Sequence, residues 1–271
     1  MSLNTSFNSH PEHSGVSRKA VLIGCHGKDK VPLHGIEIDL VNMRKFLRSD
    51  FGGAWFNDEI TTLYEATADN VTEALKNCAV DYLLVYYTGH GHTDASNNRM
   101  LSLEDKDVMD NFMLARCPRQ MLILDSCRYH TGETVTGFQC SPGLLETNTN
   151  YNARYLFDEL IRYSPWGKTI IYGAEDGELA YDNRQGGFFT QALLHAAIHH
   201  IGDDSIHSLD YLLGEVELSL RINGINQAPS IVYKRGNLKV PFALNQSSFT
   251  QFESDFNQYQ RKLLSWPGTK F

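Results

Sequence analysis

Two short apolar runs, each closed by a polar motif, constrain this chain more than any other feature. Residues 82–87 are followed by Thr-Gly-His-Gly-His, and residues 120–124 are followed by Asp-Ser-Cys-Arg. Both runs are continuous, the first rich in aromatic residues and the second in aliphatic ones, which predicts buried strands. In a parallel α/β sheet, functional groups gather beyond the carboxyl ends of the strands. We therefore expect a His and a Cys at the same edge of one sheet.

Apolar residues elsewhere in the chain recur at strand or helix spacing. Residues 19–25 form a further apolar run, and a helical stripe follows it at Ile36, Leu40, Met43 and Leu47. Similar patterns predict strands at residues 60–63, 168–173 and 231–233, and helices at residues 71–79, 107–115, 154–163, 188–200 and 209–220. This alternation predicts an α/β fold with a mostly parallel sheet and helices on both faces.

The paired His and Cys motifs indicate a chemistry. A thiol and an imidazole within reach of each other are the minimum equipment of a cysteine hydrolase. Cys127 would be the nucleophile, and His90 would help to ionise a thiol that is otherwise mostly protonated at neutral pH. A lone Cys at a strand end is more often a small core residue, but the pairing of the motifs favours catalysis. His92 is the competing base.

The two motifs resemble those of the caspase and metacaspase superfamily of cysteine peptidases (clan CD), and they are closest to bacterial metacaspase-like proteins. Three further segments agree with the family in the same order along the chain: residues 33–43, 186–193 and 226–230. The resemblance runs from about Lys19 to Leu244. It implies a caspase-like, mostly parallel six-stranded sheet with helices on both faces.

The resemblance also implies roles for individual residues. The protein would be a cysteine endopeptidase with a Cys127–His90 dyad and no essential third acid. The base would be His90 and not His92, because the family places its base before the Gly. The backbone N–H groups of Gly91 and Cys127 would form the oxyanion hole. Gly91 has no side chain, so a substrate can approach its N–H closely.

Substrate preference is implied by Asp39 and Asp125, which stand where metacaspase-like enzymes carry acidic residues. Two carboxylates in one pocket would bind a guanidinium through charge-assisted, often bidentate bonds. We therefore expect a protein or peptide substrate cleaved after Arg, with Lys weaker. A structural alternative exists for Asp39, since negative charge is favoured in the first turn of a helix in any case.

The resemblance divides the chain into segments. Residues 1–18 would be a flexible leader, residues 19–245 the peptidase domain, and residues 246–271 a helical tail. The domain would comprise a large-subunit-like part (19–127), a linker (about 128–152) and a small-subunit-like part (153–245). Arg128 and Arg154 flank the linker and are candidate self-cleavage points. The apolar stripe of the tail either packs back onto the domain or forms a docking or regulatory helix.

Composition excludes some classes of partner. The formal net charge is −8 and no basic run is present, which argues against nucleic acid. We find no apolar stretch long enough to span a membrane. The five cysteines show no paired spacing, which indicates a reducing compartment, and we expect a cytoplasmic protein.

We expect no metal and no cofactor. The sequence has no convincing acidic cluster for the calcium site of many metacaspases, so calcium dependence is doubtful. His195, His199 and His200 share one predicted helix, but neither Cys nor carboxylate completes a ligand set there. After the Cys, metacaspases usually continue His-Ser-Gly, whereas this chain has Arg-Tyr-His at residues 128–130.

Other functions remain open at this stage. The chain could be a catalytically idle caspase-fold scaffold, a zymogen effector switched on by a regulatory partner protein, or another cysteine-dependent hydrolase such as an acyl transferase. The intact set of Cys127, His90 and Asp125 argues against a scaffold, which would require none of them.

Overall fold

The computed structural model describes residues 15–76, 78–126, 151–199, 209–234 and 241–244 of the chain. The helices are α1 (Ile36–Arg48), α2 (Ala68–Leu75), α3 (Tyr151–Tyr163), α4 (Phe188–His199) and α5 (Leu209–Ile222). The strands are β1 (Arg18–Cys25), β2 (Ile60–Tyr64), β3 (Tyr82–Gly89), β4 (Gly91–Thr93), β5 (Arg99–Ser102), β6 (Asp107–Met109), β7 (Arg119–Ser126), β8 (Gly167–Tyr172), β9 (Asp182–Asn183), β10 (Gly186–Gly187) and β11 (Ser230–Lys234).

The central sheet has six strands in the order β11-β8-β7-β3-β1-β2. Five of them run parallel, and β11 pairs with β8 in the antiparallel direction at one edge. The predicted mostly parallel six-stranded α/β sheet is thereby confirmed. Strands β3 and β7 lie in the interior of the sheet and are buried along their whole length. This burial on both faces explains why they appear in the sequence as unbroken apolar runs.

Each face of the sheet has its own apolar core, because successive side chains of a strand point to opposite faces. On β1, Ala20 and Leu22 pack with the apolar sides of α1, α3, α4 and α5. Val21 and Ile23 point the other way and pack with α2 and with the strands β5 and β6. Helices therefore cover both faces, as the alternating pattern predicts.

The helix predicted at residues 107–115 is wrong. This segment forms the short strand β6, which pairs with β5, and then a 3₁₀ turn at Asp110–Met113. The bond from Leu103 N to Lys106 O closes the hairpin between β5 and β6. That closure sets Val108 opposite Leu101, and both side chains are buried in the second core. Strand pairing thus overrides the local pattern.

The helix α2 begins before the predicted residue 71. Thr67 caps it: the Thr67 side chain accepts a bond from Asn70 N, and the Asn70 side chain accepts one from Thr67 N. This reciprocal pair satisfies two backbone donors that the first helical turn leaves open. The helix therefore starts directly after Thr67, at Ala68.

Several predicted segments lie wholly or largely outside the described residues: the leader at 1–18, the linker at about 128–152 and the tail at 246–271. Within the part of the chain that the structure describes, no helix is both long enough and apolar enough to cross a membrane.

Candidate active site

The two motifs emerge at the same edge of the sheet. Strands β3 and β7 are adjacent and parallel, and their register aligns Thr88 with Asp125 and Gly89 with Ser126. His90 directly follows Gly89, so its backbone lies next to the Asp-Ser segment at the carboxyl edge. Cys127 and Arg128 follow Ser126 in the chain and lie outside the described residues.

The imidazole of His90 is oriented by a backbone carbonyl. Its Nε2 lies 2.7 Å from Val31 O. A carbonyl can only accept, so Nε2 carries the proton, and the lone pair of a neutral ring is on Nδ1. Burial lowers the pKa of His90, the Val31 bond raises it, and the nearby Lys30 charge lowers it. The sequence did not predict this role for Val31, because a carbonyl contact carries no side-chain signal.

The loop that presents Val31 is tied down on both sides of it. Lys30 Nζ donates to Ser102 Oγ and, at 3.4 Å, to Asp107. After Val31, Leu33 N donates to His26 Nδ1 at 2.9 Å. These bonds connect the loop between β1 and α1 to the β5–β6 hairpin and to the end of β1. They fix the position of the carbonyl that His90 meets.

Gly91 and His92 follow His90 and lie on β4. The bond from Ser102 N to His90 O makes Gly91 and Leu101 a non-hydrogen-bonded pair. The N–H of Gly91 therefore points away from β5. His92 Nε2 lies 4.0 Å from a carboxylate oxygen of Asp107. The two histidines thus face different neighbours, although they are only two residues apart.

Asp39 and Asp125 come together in one buried pocket. Asp39 accepts bonds from Gly187 N at 2.9 and 3.0 Å and from Thr88 Oγ1 at 3.0 Å. Asp125 Oδ2 accepts bonds from Thr190 N at 3.1 Å and from Thr190 Oγ1 at 2.6 Å. Both carboxylates are therefore held by N–H groups at or next to the start of α4, where negative charge is favoured.

The pocket around these carboxylates is a narrow, partly open cleft with a cavity volume of about 20 Å³, which is room for about one water molecule. Apolar side chains form part of its wall: Leu33, Ile36, Ala180 and Tyr181. A third carboxylate, Asp182, also lines it. Sequence reasoning missed Asp182, because it lies in a two-residue strand with no periodic pattern and outside every motif.

Two glycines make room for the acidic pair. A Cβ on Gly187 would overlap Asp125 Oδ2 and lie 3.2 Å from Asp39 Oδ2. A Cβ on Gly186 would overlap Asp39 Oδ1, and its φ of 122° lies in the region that favours glycine. The Gly-Gly step before α4 is therefore required by the carboxylates that pack against it.

Burial makes both carboxylates weaker acids than usual. It raises the pKa of Asp39 well above its ordinary value, and the neighbouring charge of Asp125 adds to this effect. Burial also raises the pKa of Asp125, to about 6, although the Thr190 bonds act in the opposite direction. A cation in the pocket would favour the ionised form of both groups.

The sequence model of the caspase domain matches residues 17–238. The chain belongs to the caspase-domain family of peptidases. No curated protein has a sequence that matches the chain.

Two solved structures are similar to this chain in fold. Caspase-1 from Spodoptera frugiperda is 16% identical with a TM-score of 0.57, over 86% of this chain and 92% of that chain. A protein from Geobacter sulfurreducens is 18% identical with a TM-score of 0.55, over 86% of this chain and 98% of that chain. Members of the caspase-domain family are cysteine peptidases, which act on protein substrates.

One candidate self-cleavage point of this caspase-domain chain is poorly placed. Arg154 is buried within α3, and its guanidinium binds both carboxylate oxygens of Glu59 at 2.7 and 2.8 Å. It also lies over the Phe56 ring, 3.8 Å from the centroid. A peptidase needs an extended and accessible segment, so this setting counts against cleavage after Arg154 in the folded chain.

Metal ligands are sparse in the part of the caspase domain that the structure describes. One group there has ligand atoms mutually within 4.8 Å: Cys25, Glu65 and Glu104. Burial raises the pKa of the Cys25 thiol to about 12. His195 and His199 stack with their ring centroids 4.1 Å apart.

Proposed function

We propose that the protein is a cysteine endopeptidase that cleaves peptide bonds after Arg, and less well after Lys. The observation that carries this proposal is the buried acidic pocket of Asp39 and Asp125. It lies at the same edge of the sheet as His90. The negative charge of the pocket would attract a basic side chain of the substrate. The bond to be cleaved would then lie close to His90, the proposed general base.

The proposed mechanism uses Cys127 and His90 as a dyad. Cys127 directly follows Ser126, which is aligned with the residue before His90. Because Val31 holds the proton of His90 on Nε2, Nδ1 is the atom that accepts the thiol proton. The thiolate attacks the carbonyl carbon of the scissile bond, and the imidazolium then protonates the leaving amine. Water hydrolyses the resulting thioester.

The oxyanion of the tetrahedral intermediate would be stabilised by the backbone N–H groups of Gly91 and Cys127. The Gly91 N–H points away from its partner strand, so the pairing of β4 with β5 does not use it. Preorganised backbone donors of this kind lower the energy of the charge that develops in the transition state.

The preference for Arg follows from the pocket. The cavity of about 20 Å³ must widen to admit a long basic side chain; the apolar wall of Leu33, Ile36 and Tyr181 would then contact its methylene stem, and the carboxylates its charged head. A planar guanidinium has five N–H donors and can bind more than one carboxylate at a time. A Lys ammonium is a compact, strongly hydrated charge, so it would bind more weakly.

The test is cleavage of fluorogenic peptides that carry Arg, Lys or Asp before the reporter, with calcium or with a chelator. We expect the order Arg, then Lys, then no cleavage for Asp, and no requirement for calcium. Cys127→Ala should be inactive, and the matched control Cys117→Ala should retain activity. Asp-directed cleavage, or full activity of Cys127→Ala, would contradict the proposal.

Silence on every peptide would call for a second measurement. An Arg-directed, thiol-reactive probe separates the two explanations of an inactive preparation. Labelling at Cys127 would indicate a zymogen effector that awaits a regulatory partner protein. Absence of labelling would indicate an idle scaffold and would count against the peptidase.

A further inference from the structure

We infer that Asp182 is a third carboxylate of the Arg pocket, and that Asp182 and Asp125 contact the guanidinium directly. This inference rests on the proposed function, since it concerns the same pocket. Asp39 has a different role in this inference: it adds negative charge to the pocket, and its bonds to Thr88 and Gly187 hold the pocket walls together.

The acceptor atoms of the three carboxylates support this division. Both oxygens of Asp39 already accept from Gly187 N, and one of them also accepts from Thr88. In Asp125, Oδ2 accepts two bonds from Thr190, whereas Oδ1 accepts none from any described residue. Asp125 thus keeps one whole oxygen for a ligand, and Asp39 does not.

Asp182, like Asp125, has one carboxylate oxygen that accepts no hydrogen bond from a described residue. Its Oδ2 accepts a bond from Gly35 N at 3.1 Å, and its Oδ1 accepts no bond from any residue that the structure describes. Within the small β9–β10 sheet, Asp182 pairs with Gly187, whose N–H holds Asp39. The carboxylate of Asp182 is therefore tied to the pocket by one oxygen and keeps the other for a ligand.

The electrostatic effect of Asp182 reaches the whole site. Its charge acts on both other carboxylates and raises the pKa of each, after the larger effect of burial. It also favours the charged form of His90. Three carboxylates around one narrow pocket repel one another unless a cation lies between them, and this repulsion favours a bound guanidinium.

The geometry predicts a role for Asp182 in choosing Arg over Lys. A guanidinium presents N–H donors along more than one edge, so it can bind two separate carboxylates at once. An ammonium has one small charged centre and gains less from a second, separate carboxylate. Removing the charge of Asp182 should therefore weaken Arg substrates more than Lys substrates.

The test is Asp182→Asn, which removes the charge but keeps an oxygen that can accept the bond from Gly35 N. We expect kcat/KM for an Arg peptide to fall roughly 10- to 100-fold, as for a lost bond to a charged group. The fall for the matched Lys peptide should be smaller, so that the Arg/Lys ratio decreases. The control is Asp176→Asn. Asp176 lies in the segment between β8 and β9, close to Asp182 in the chain, but it is not part of the pocket wall. It should change neither value by more than about twofold, as expected for a surface substitution.

A binding measurement separates this inference from the peptidase proposal. Agmatine, a free guanidinium compound, is titrated into Cys127→Ala protein with and without Asp182→Asn. Weaker agmatine binding in the double variant supports the pocket role even if no peptide is cleaved. Unchanged agmatine affinity, or an unchanged Arg/Lys ratio in an active Asp182→Asn enzyme, overturns the role of Asp182 while the proposed function stands. Failure of the parent to bind agmatine at all also overturns it.

Discussion

His90 Nε2 donates a hydrogen bond of 2.7 Å to the backbone carbonyl of Val31, which lies 59 residues earlier in the chain. No side-chain substitution at Val31 removes this acceptor. The loop that carries Val31 can be changed instead, because Lys30 anchors it through bonds to Ser102 and Asp107. Lys30 is thus a candidate positioning residue for the proposed base.

We predict that Lys30→Met lowers kcat about tenfold with little change in KM, because the ring of His90 loses its fixed orientation. Lys30 lowers the pKa of His90, so its removal raises that pKa. The acid limb of the kcat profile should then move to higher pH. Lys28→Met is the matched control, since Lys28 is an exposed lysine of the same loop. Identical pH profiles for Lys30→Met and Lys28→Met would rule out the positioning role.

We predict opposite outcomes for two Gly→Ala substitutions. A methyl group at Gly187 would overlap Asp125, so Gly187→Ala should cost about 1–3 kcal/mol of unfolding free energy and reduce Arg cleavage. At Gly214, exposed on α5, a Cβ meets nothing within 4 Å. Gly214→Ala should stabilise by about 0.5–1 kcal/mol through helix propensity. Thermal unfolding and peptide cleavage check both, and a Gly187→Ala variant as stable and active as its parent would contradict the packing argument.

We predict that Asp125→Asn makes the protein more stable and less active. Folding raises the pKa of Asp125 to about 6, so the buried carboxylate opposes folding most strongly above that pH. The wild type therefore loses this part of its stability as the pH rises from about 4 through about 6. An amide oxygen can still accept both Thr190 bonds, so no bond to α4 needs to be lost.

The measurement is the difference in unfolding free energy between Asp125→Asn and wild type across this pH range. The difference should grow with pH to the order of 1–3 kcal/mol and stay constant above about pH 7. Arg cleavage should fall at the same time, because the pocket has lost a charge. A variant that is less stable than wild type at pH 8 would show that the carboxylate is needed for the fold.

We predict that any self-cleavage occurs after Arg128 and not after Arg154. The bidentate pair with Glu59 and the helical setting protect Arg154. Intact-mass spectrometry of the incubated wild type checks this, with Cys127→Ala as the uncleaved control. Arg128→Gln should stay intact as well. A fragment that begins at Tyr155 would show that α3 opens in solution.

Much of the fold can be predicted from the sequence because its strands and helices have strong local patterns. The buried runs of β3 and β7 and the stripe of α1 are examples. The segment at residues 107–115 could not be predicted, since its apolar residues at 108, 109, 112 and 113 fit a helix as well as a strand. Only the pairing of β6 with β5, across a turn, selects the strand.

Some residues of the candidate site could likewise be found from the sequence, and others could not. The resemblance brought Cys127, His90, Asp39 and Asp125 forward as candidates, and the structure places the last three at one edge of the sheet. Val31 and Asp182 could not be found from the sequence. The contribution of Val31 is a backbone carbonyl, and Asp182 reaches the pocket only through a hairpin that folds over α1.

The N–H groups that bind Asp39 and Asp125 belong to Gly187, directly before α4, and to Thr190, in the first turn of this buried helix. Asp125, which is proposed to contact the substrate, therefore also holds the first turn of a central helix, and Asp39 holds the residue before that helix. A redesign of this pocket for acidic substrates would have to replace those helix contacts at the same time as the charges. Replacing Asp39 or Asp125 alone by Arg should therefore yield misfolded chains and not an enzyme with a new specificity.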